Sequence, residues 1–295
     1  MSKLKNLHKA YSKGKNLTCI TAYDASISKF LDSLNIDLIL VGDSLGQVIQ
    51  GNKSTHDVTL NDIIYHSKCV SSGIKNSALM IDLPKNTYNT KDQALENSKL
   101  VIKESKADLI KIEISENNLQ VMEHLIDNKI PICAHIGLLP QSVMKKTNFR
   151  KYGKTTSERN DLFQLAKYID NYGVEVILLE CIDDTLAKSI RQSCKSPVIG
   201  IGSGPDLDGQ VAVIYDLLGI SFNTITSLTN DNYDLIKDLI IDFQDNKNND
   251  YNSMIITSND SNLPSPGPTT KPSSILTGED ENYNTRRLLL IDNND

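Results

Sequence analysis

The chain has 295 residues, 39% of them hydrophobic, which is enough for one large α/β domain with a real core. A formal net charge of -6 and the lack of a strongly basic domain argue against nucleic acid as the main partner. No apolar run approaches the roughly 18 residues that span a bilayer, so no membrane segment is expected.

The first 16 residues carry five lysines and no acid, a pattern that could serve as a weak organelle-targeting signal. They contain no arginine, and folded-looking sequence starts by Leu17, so the cytoplasm is expected ahead of the mitochondrion. LTCITAY (17–23) reads as the first strand, with Asp24 placed to cap the helix ASISKFLDSL. The second strand, 38–42, lies in LILVGDSLGQVIQG (38–51), breaks at a glycine and delivers Asp43 and Ser44 at its end. Thr59 can cap a helix to about Ser72 that contains His66, a residue expected to be satisfied or at the surface. Strand three, 78–82, ends on Asp82. Pro84 then stops regular structure, and Thr90 with Gln93 has capping-box spacing.

ADLIKIE is the fourth strand, where two-residue periodicity puts Lys111 and Glu113 on one face and Ile110 and Ile112 on the other. Such a charged pair inside a core demands a partner or a ligand. Strand five, 131–135, ends on His135 and is followed by a long basic loop. Strand six, 174–180, ends on Glu180, and strand seven, 198–201, runs into the glycines of GIGSG. LGISF (218–222) is the candidate eighth strand and DNYDLIKDLIIDF the closing helix. Eight strands with seven intervening helices over about 240 residues favour a closed (β/α)8 TIM barrel over an open doubly wound sheet. Residues 1–244 form this catalytic barrel. Residues 245–295, which include SNLPSPGPTTKPSS, read as a low-complexity, disordered tail with RRLLLI as a short docking segment.

Five cysteines, Cys19, Cys69, Cys133, Cys181 and Cys194, lack CxxC spacing and mostly lie in or beside apolar runs, so buried reduced thiols are expected. The chemistry gathers instead at the C-terminal ends of the strands. Asp43, Asp82 and Glu113 follow neighbouring strands, and three carboxylates with a serine nearby suit a hard divalent cation such as Mg2+ better than zinc. Alternatively, the acids cap helices or form salt bridges across the mouth. Lys111 would stabilise an enolate or carboxylate, or act as a Schiff-base lysine. Glu180 stands across the mouth after an apolar strand, a setting that suits a general base able to take a proton from carbon. The glycines of GIGSG leave room for substrate, and glycines at strand seven bind phosphate in many barrels. They do not form a dinucleotide fingerprint. Unaided, the pattern implies metal-assisted enolisation of a small 2-oxo acid, with carbon–carbon bond making or breaking.

Over residues 17 to about 220 the sequence resembles the ketopantoate hydroxymethyltransferase family. The resemblance runs through TAYD (21–24), VGDSLG (41–46), DLP (82–84), KIE (111–113), AHIGL.PQS (134–142), LLE (178–180) and GIGSG...DGQ (200–210). It implies a Mg2+-dependent barrel that transfers a hydroxymethyl group from 5,10-methylenetetrahydrofolate to 3-methyl-2-oxobutanoate, giving 2-dehydropantoate for pantothenate and coenzyme A. It makes Asp43, Asp82 and Glu113 the metal site, with Asp43, Ser44, Asp82, Lys111 and His135 at the keto acid and Glu180 the catalytic base. It also implies a homo-oligomer. The chain departs from the family pattern at Ile114 and Ser115, at Lys85, and at Thr147, Asn148, Phe149 and Arg150 of the basic loop. Two other readings use the same barrel: an enolising enzyme of the phosphoenolpyruvate mutase and isocitrate lyase type, and a catalytically silent binding or assembly module.

Overall fold

A computed structural model describes residues 3–143, 150–222 and 230–245. Eight parallel strands close into a barrel in chain order: β1 (Leu17–Thr21), β2 (Leu38–Val41), β3 (Ala78–Asp82), β4 (Leu109–Glu113), β5 (Ile132–Gly137), β6 (Val176–Glu180), β7 (Val198–Ile201) and β8 (Gly209–Ala212). β8 pairs back onto β1, so the sheet has no free edge. The helices are α1 (Lys3–Ser12), α2 (Ala25–Ser33), α3 (Leu45–Val48), α4 (Leu60–Gly73), α5 (Lys91–Ser105), α6 (Leu119–Asp127), α7 (Thr156–Tyr172), α8 (Asp184–Ser193), α9 (Ile214–Leu217) and α10 (Asn230–Asp245). The chain divides into two units, Met1–Tyr233 and Asp234–Asp295. The tail, with SNLPSPGPTTKPSS and RRLLLI, and Thr147, Asn148 and Phe149 of the basic loop lie outside the described residues.

Period-two alternation sorts the strand residues into two apolar layers. Leu17, Cys19, Leu38, Leu40, Met80, Leu109, Cys133 and Leu178 fill the barrel interior. Ile39, Val41, Ile81, Ile110, Ile112 and Leu179 face outward and bury the stripes of the helices through Leu31, Ile63, Val101, Leu125, Ile169 and Ile190. All five cysteines are free thiols. Cys19, Cys133 and Cys194 are buried, and burial pushes the Cys133 and Cys194 thiols up to about 12 and about 11.

The helix starts follow their caps. Asp24 accepts the Ile27 N–H at 2.9 Å. Thr59 and Asp62 complete a reciprocal box ahead of α4. At Thr90 only half of the expected box forms: its hydroxyl accepts the Gln93 N–H at 3.2 Å, whereas the Gln93 side chain accepts the N–H of Asn89. His66 is satisfied, its Nδ1 lying 2.7 Å from the Tyr23 carbonyl oxygen.

Three expectations are corrected. Folded structure begins before Leu17: in α1, Leu4, Leu7 and Tyr11 recur at helical spacing, and Leu7 is buried against the interior cluster. His8 Nε2, 2.6 Å from a Glu175 carboxylate oxygen, ties this helix to the residue before β6. The eighth strand is GQVA, not 218–222, where the chain instead turns after α9. No helix separates β7 from β8, so six of the seven intervening helices expected are present. β8 escapes a search for apolar runs because it is four residues long with an exposed glutamine. Its first residue must also be glycine, because a Cβ at Gly209 would collide with the Leu17 carbonyl oxygen across the β1–β8 closure. Gly209→Ala is therefore expected to destabilise the protein by about 1–3 kcal/mol, the usual range for overpacking. Urea unfolding should show this as a lower midpoint with little change in slope.

Candidate active site at the C-terminal mouth of the barrel

The alternation that fills the barrel with apolar side chains continues upward with polar ones. The inward series Leu109, Lys111, Glu113 on β4 stands beside Ala78, Met80, Asp82 on β3, and Asp82 is in register with Lys111. On the other side, Glu113 is in register with His135. Gly137 is in register with Glu180. Asp43 arrives differently. Leu38 and Leu40 point inward, and past the end of β2 a tight turn closes with the Leu45 N–H donating to the Gly42 carbonyl and the Gly46 N–H to that of Asp43.

Asp82, Lys111, Glu113, His135 and Asp43 are all buried. Lys111 Nζ donates to Asp82 Oδ2 at 2.7 Å, and the same oxygen faces the Asp43 N–H at 3.4 Å. Burial opposes the charge on Lys111, but Asp82, Asp43 and Glu113 outweigh it, so its ammonium form is reinforced. This setting favours a fixed positive charge over a Schiff-base amine. Burial pushes the Asp82 carboxyl up against the pull of Lys111, and burial pushes Glu113 up to about 8. Burial and then the Lys111 charge lower His135, keeping its ring neutral. His135 Nε2 lies 3.2 Å from Glu180 Oε2, and the Glu180 side chain is 21% exposed at the rim. Ser44 Oγ lies 2.8 Å from the hydroxyl of buried Tyr23.

All three proposed metal ligands lie at the same end of the barrel, at or just beyond the ends of consecutive strands. Among the described residues, no three His, Cys, Asp or Glu side chains stand close enough as placed to enclose an ion. The donor chemistry nevertheless fits a hard divalent cation. Asp43 Oδ2, Asp82 Oδ1 and Glu113 Oε2 are buried oxygens with no hydrogen-bond partner. Three carboxylates against one ammonium leave an excess of two negative charges when all are ionised, which is the charge a divalent cation neutralises.

Sequence reasoning did not single out Gln141, Tyr88 or Tyr23. The Gln141 N–H donates to Glu113 Oε1 at 2.9 Å, its side-chain amide donates to the Leu83 carbonyl, and its Oε1 accepts from the Tyr88 hydroxyl at 2.6 Å. Gln141 thus fixes one Glu113 oxygen and joins the loops after β3 and β5. The only signal available was the PQS portion of the motif at 134–142. The glycines of GIGSG prove to be packing positions: a Cβ at Gly200 would strike Leu207, and one at Gly204 would press on Asp184 at 2.9 Å.

Removing Lys111 leaves Asp82 without its buried counter-charge. Lys111→Met is expected to cost about 3–5 kcal/mol at pH 8 in chelator-treated buffer. The loss should shrink toward pH 5. A carboxyl whose folded pKa lies above its unfolded value favours the folded state at low pH and loses that contribution as pH rises through the folded pKa. Denaturant midpoints of parent and variant at both pH values check this.

The family described as ketopantoate hydroxymethyltransferase matches residues 2–244. A Shewanella loihica protein named 3-methyl-2-oxobutanoate hydroxymethyltransferase is 44% identical over 75% of this chain and 84% of its own length. A protein of the same name from Ruthia magnifica subsp. Calyptogena magnifica is 39% identical over 79% of this chain and 87% of its own. A solved phosphonopyruvate hydrolase complexed with oxalate and Mg++ superposes with a TM-score of 0.56 at 11% identity, covering 72% of this chain and 81% of that one, a likeness of fold. The chain belongs to the ketopantoate hydroxymethyltransferase family.

Proposed function

We infer that this chain transfers a hydroxymethyl group from 5,10-methylenetetrahydrofolate to 3-methyl-2-oxobutanoate, giving 2-dehydropantoate for pantothenate and coenzyme A biosynthesis. The observation that carries the reading is the placement of Glu180. It stands beside neutral His135 and across the mouth from buried Lys111 and its carboxylates, in a chain 44% identical to a relative of that name. Asp43, Asp82 and Glu113 would hold Mg2+. That ion, when bound, supplies Lewis-acid charge at the substrate's keto and carboxylate oxygens.

The protein's own groups account for the remaining chemistry. Lys111 and Ser44 hold the keto acid. Glu180 takes the C3 proton, and the electrons of that C–H bond move into the keto group to form the enolate. Lys111, fixed by Asp82, stabilises the charge that develops. His135 orients the Glu180 carboxylate. C3 then bonds to the methylene carbon of the donor as the first of its two carbon–nitrogen bonds breaks; water displaces the second nitrogen and leaves its oxygen as the hydroxyl, and the proton from C3 and one from water end on the two folate nitrogens. The cytoplasm and a homo-oligomeric assembly complete this reading. Among the described residues no helix is long and apolar enough to cross a membrane. The phosphoenolpyruvate mutase and isocitrate lyase reading has only a likeness of fold in its favour, whereas the transferase reading has sequence identity across most of the chain.

The test is exchange of the C3 proton of 3-methyl-2-oxobutanoate with deuterated water, followed by NMR with Mg2+ present and folate absent. The parent should exchange. Glu180→Gln should slow exchange by about 10²- to 10⁴-fold, the usual loss on removing a general base, with keto-acid affinity retained. An equally fast variant would make Glu180 structural and His135 the next candidate. A parent that binds Mg2+ and keto acid without exchange would favour the silent barrel.

A further inference from the structure

The donor must bring its methylene carbon to C3, so its binding site must adjoin the carboxylates. Two cavities open among the loops at this end of the barrel. One, of about 270 Å³, lies between the loops after β4 and β5 and α7, and the acids Glu116, Glu158 and Asp161 line it, Glu158 paired with Arg150. The other, of about 450 Å³, lies between the loops after β3, β4 and β5 and has Glu113 and Gln141 in its wall. Its size falls within the range of small-molecule sites. Its one cationic lining side chain is Lys85, half-buried on the loop after β3, accompanied by Asn86, Asn89 and Asn118.

We propose that this second cavity is the subsite of the one-carbon donor and that Lys85 binds the carboxylates of its glutamyl tail. The proposal rests on the transferase reading and assigns it a residue. Tetrahydrofolate carries a flat, hydrogen-bonding heterocycle at one end and an anionic tail at the other. In the first cavity three acids against one arginine leave a net negative lining, which disfavours that tail. The Lys85 cavity offers hydrogen-bonding side chains and a cation, in direct continuity with Glu113. Lys85 Nζ lies 3.5 Å from His56 Nδ1, and His56 Nε2 lies 2.9 Å from the Pro140 carbonyl oxygen, so the ammonium is placed between the loops after β2 and β3. The Tyr88–Gln141 hydrogen bond spans the same wall and links donor cavity and Glu113 through one side chain.

The test compares tetrahydrofolate with tetrahydropteroate, which lacks the glutamyl tail, by calorimetric titration of the full chain. The parent should bind tetrahydrofolate about tenfold more tightly, the effect of one favourable charge contact. Lys85→Ala should abolish that difference by weakening tetrahydrofolate alone, Lys85→Arg should restore it and Lys85→Glu should reverse it. C3 proton exchange without donor should stay at the parental rate in all three. Equal affinity of the two ligands in the parent, or the same loss for both in Lys85→Ala, would overturn the assignment. A parent that fails to exchange the C3 proton yet binds tetrahydrofolate through Lys85 would sink the transferase reading and leave the cavity's ligand standing.

Discussion

Among the described residues, the upper half of the barrel depends on a single buried cation among carboxylates. Lys111 is the one ammonium set among Asp43, Asp82 and Glu113, and its 2.7 Å bond to Asp82 joins β4 to β3 where the interior changes from apolar to charged. Below this level Met80, Leu109 and Cys133 pack as an ordinary core. Above it burial first, and the neighbouring carboxylates after it, push Asp82 and Glu113 toward the protonated form against the pull of Lys111. Such a cluster is a poor way to stabilise a fold, since apolar residues of similar volume would serve better. Its composition makes sense as a site prepared for added positive charge.

Much of this was legible because alternation in a strand does not stop at the edge of the core. The same two-residue period that placed Leu109 inside placed Lys111 and Glu113 inside, so a charged pair in an apolar strand located the mouth before any coordinates. The strands that terminate in ionisable residues were found for that reason. β8 was not. GQVA carries almost no hydrophobic signal because closure, not burial of a long apolar run, is what holds it: the Leu17 N–H donates to the Asp208 carbonyl at 2.7 Å, and Gly209 allows the backbones to approach. LGISF had the better strand composition and lost to this tertiary constraint. Helix α1 was missed for the opposite reason. Its lysines dominate the composition, while the few residues that bury, Leu7 foremost, are what dock it.

Gln141 shows a different limit. Nothing in its side-chain type marks it, because its role comes from three contacts to segments distant in sequence, Glu113, Leu83 and Tyr88. Single-chain patterning reports which face a residue occupies, not which remote loops it ties together. The site therefore splits into a part written in strand periodicity, Asp82, Lys111, Glu113, His135 and Glu180, and a part set by turns and tertiary contacts, Asp43, Gln141, Tyr88 and the Tyr23–Ser44 pair.

The charged residues also divide by depth. Asp82 and Glu113 end β3 and β4 and Asp43 lies just past β2, where burial keeps their unpartnered oxygens from water. Glu180 stands at the rim, and the residue after it, Cys181, holds a left-handed backbone with φ of 51°, a conformation L residues rarely adopt. That turn is fixed from both sides, by the Cys181 N–H donating to the Ile201 carbonyl at 2.9 Å and the Tyr152 N–H donating to the Cys181 carbonyl at 2.7 Å. β6 is thereby ended sharply at Glu180, and the carboxylate stays beside His135 without sinking into the charged cluster.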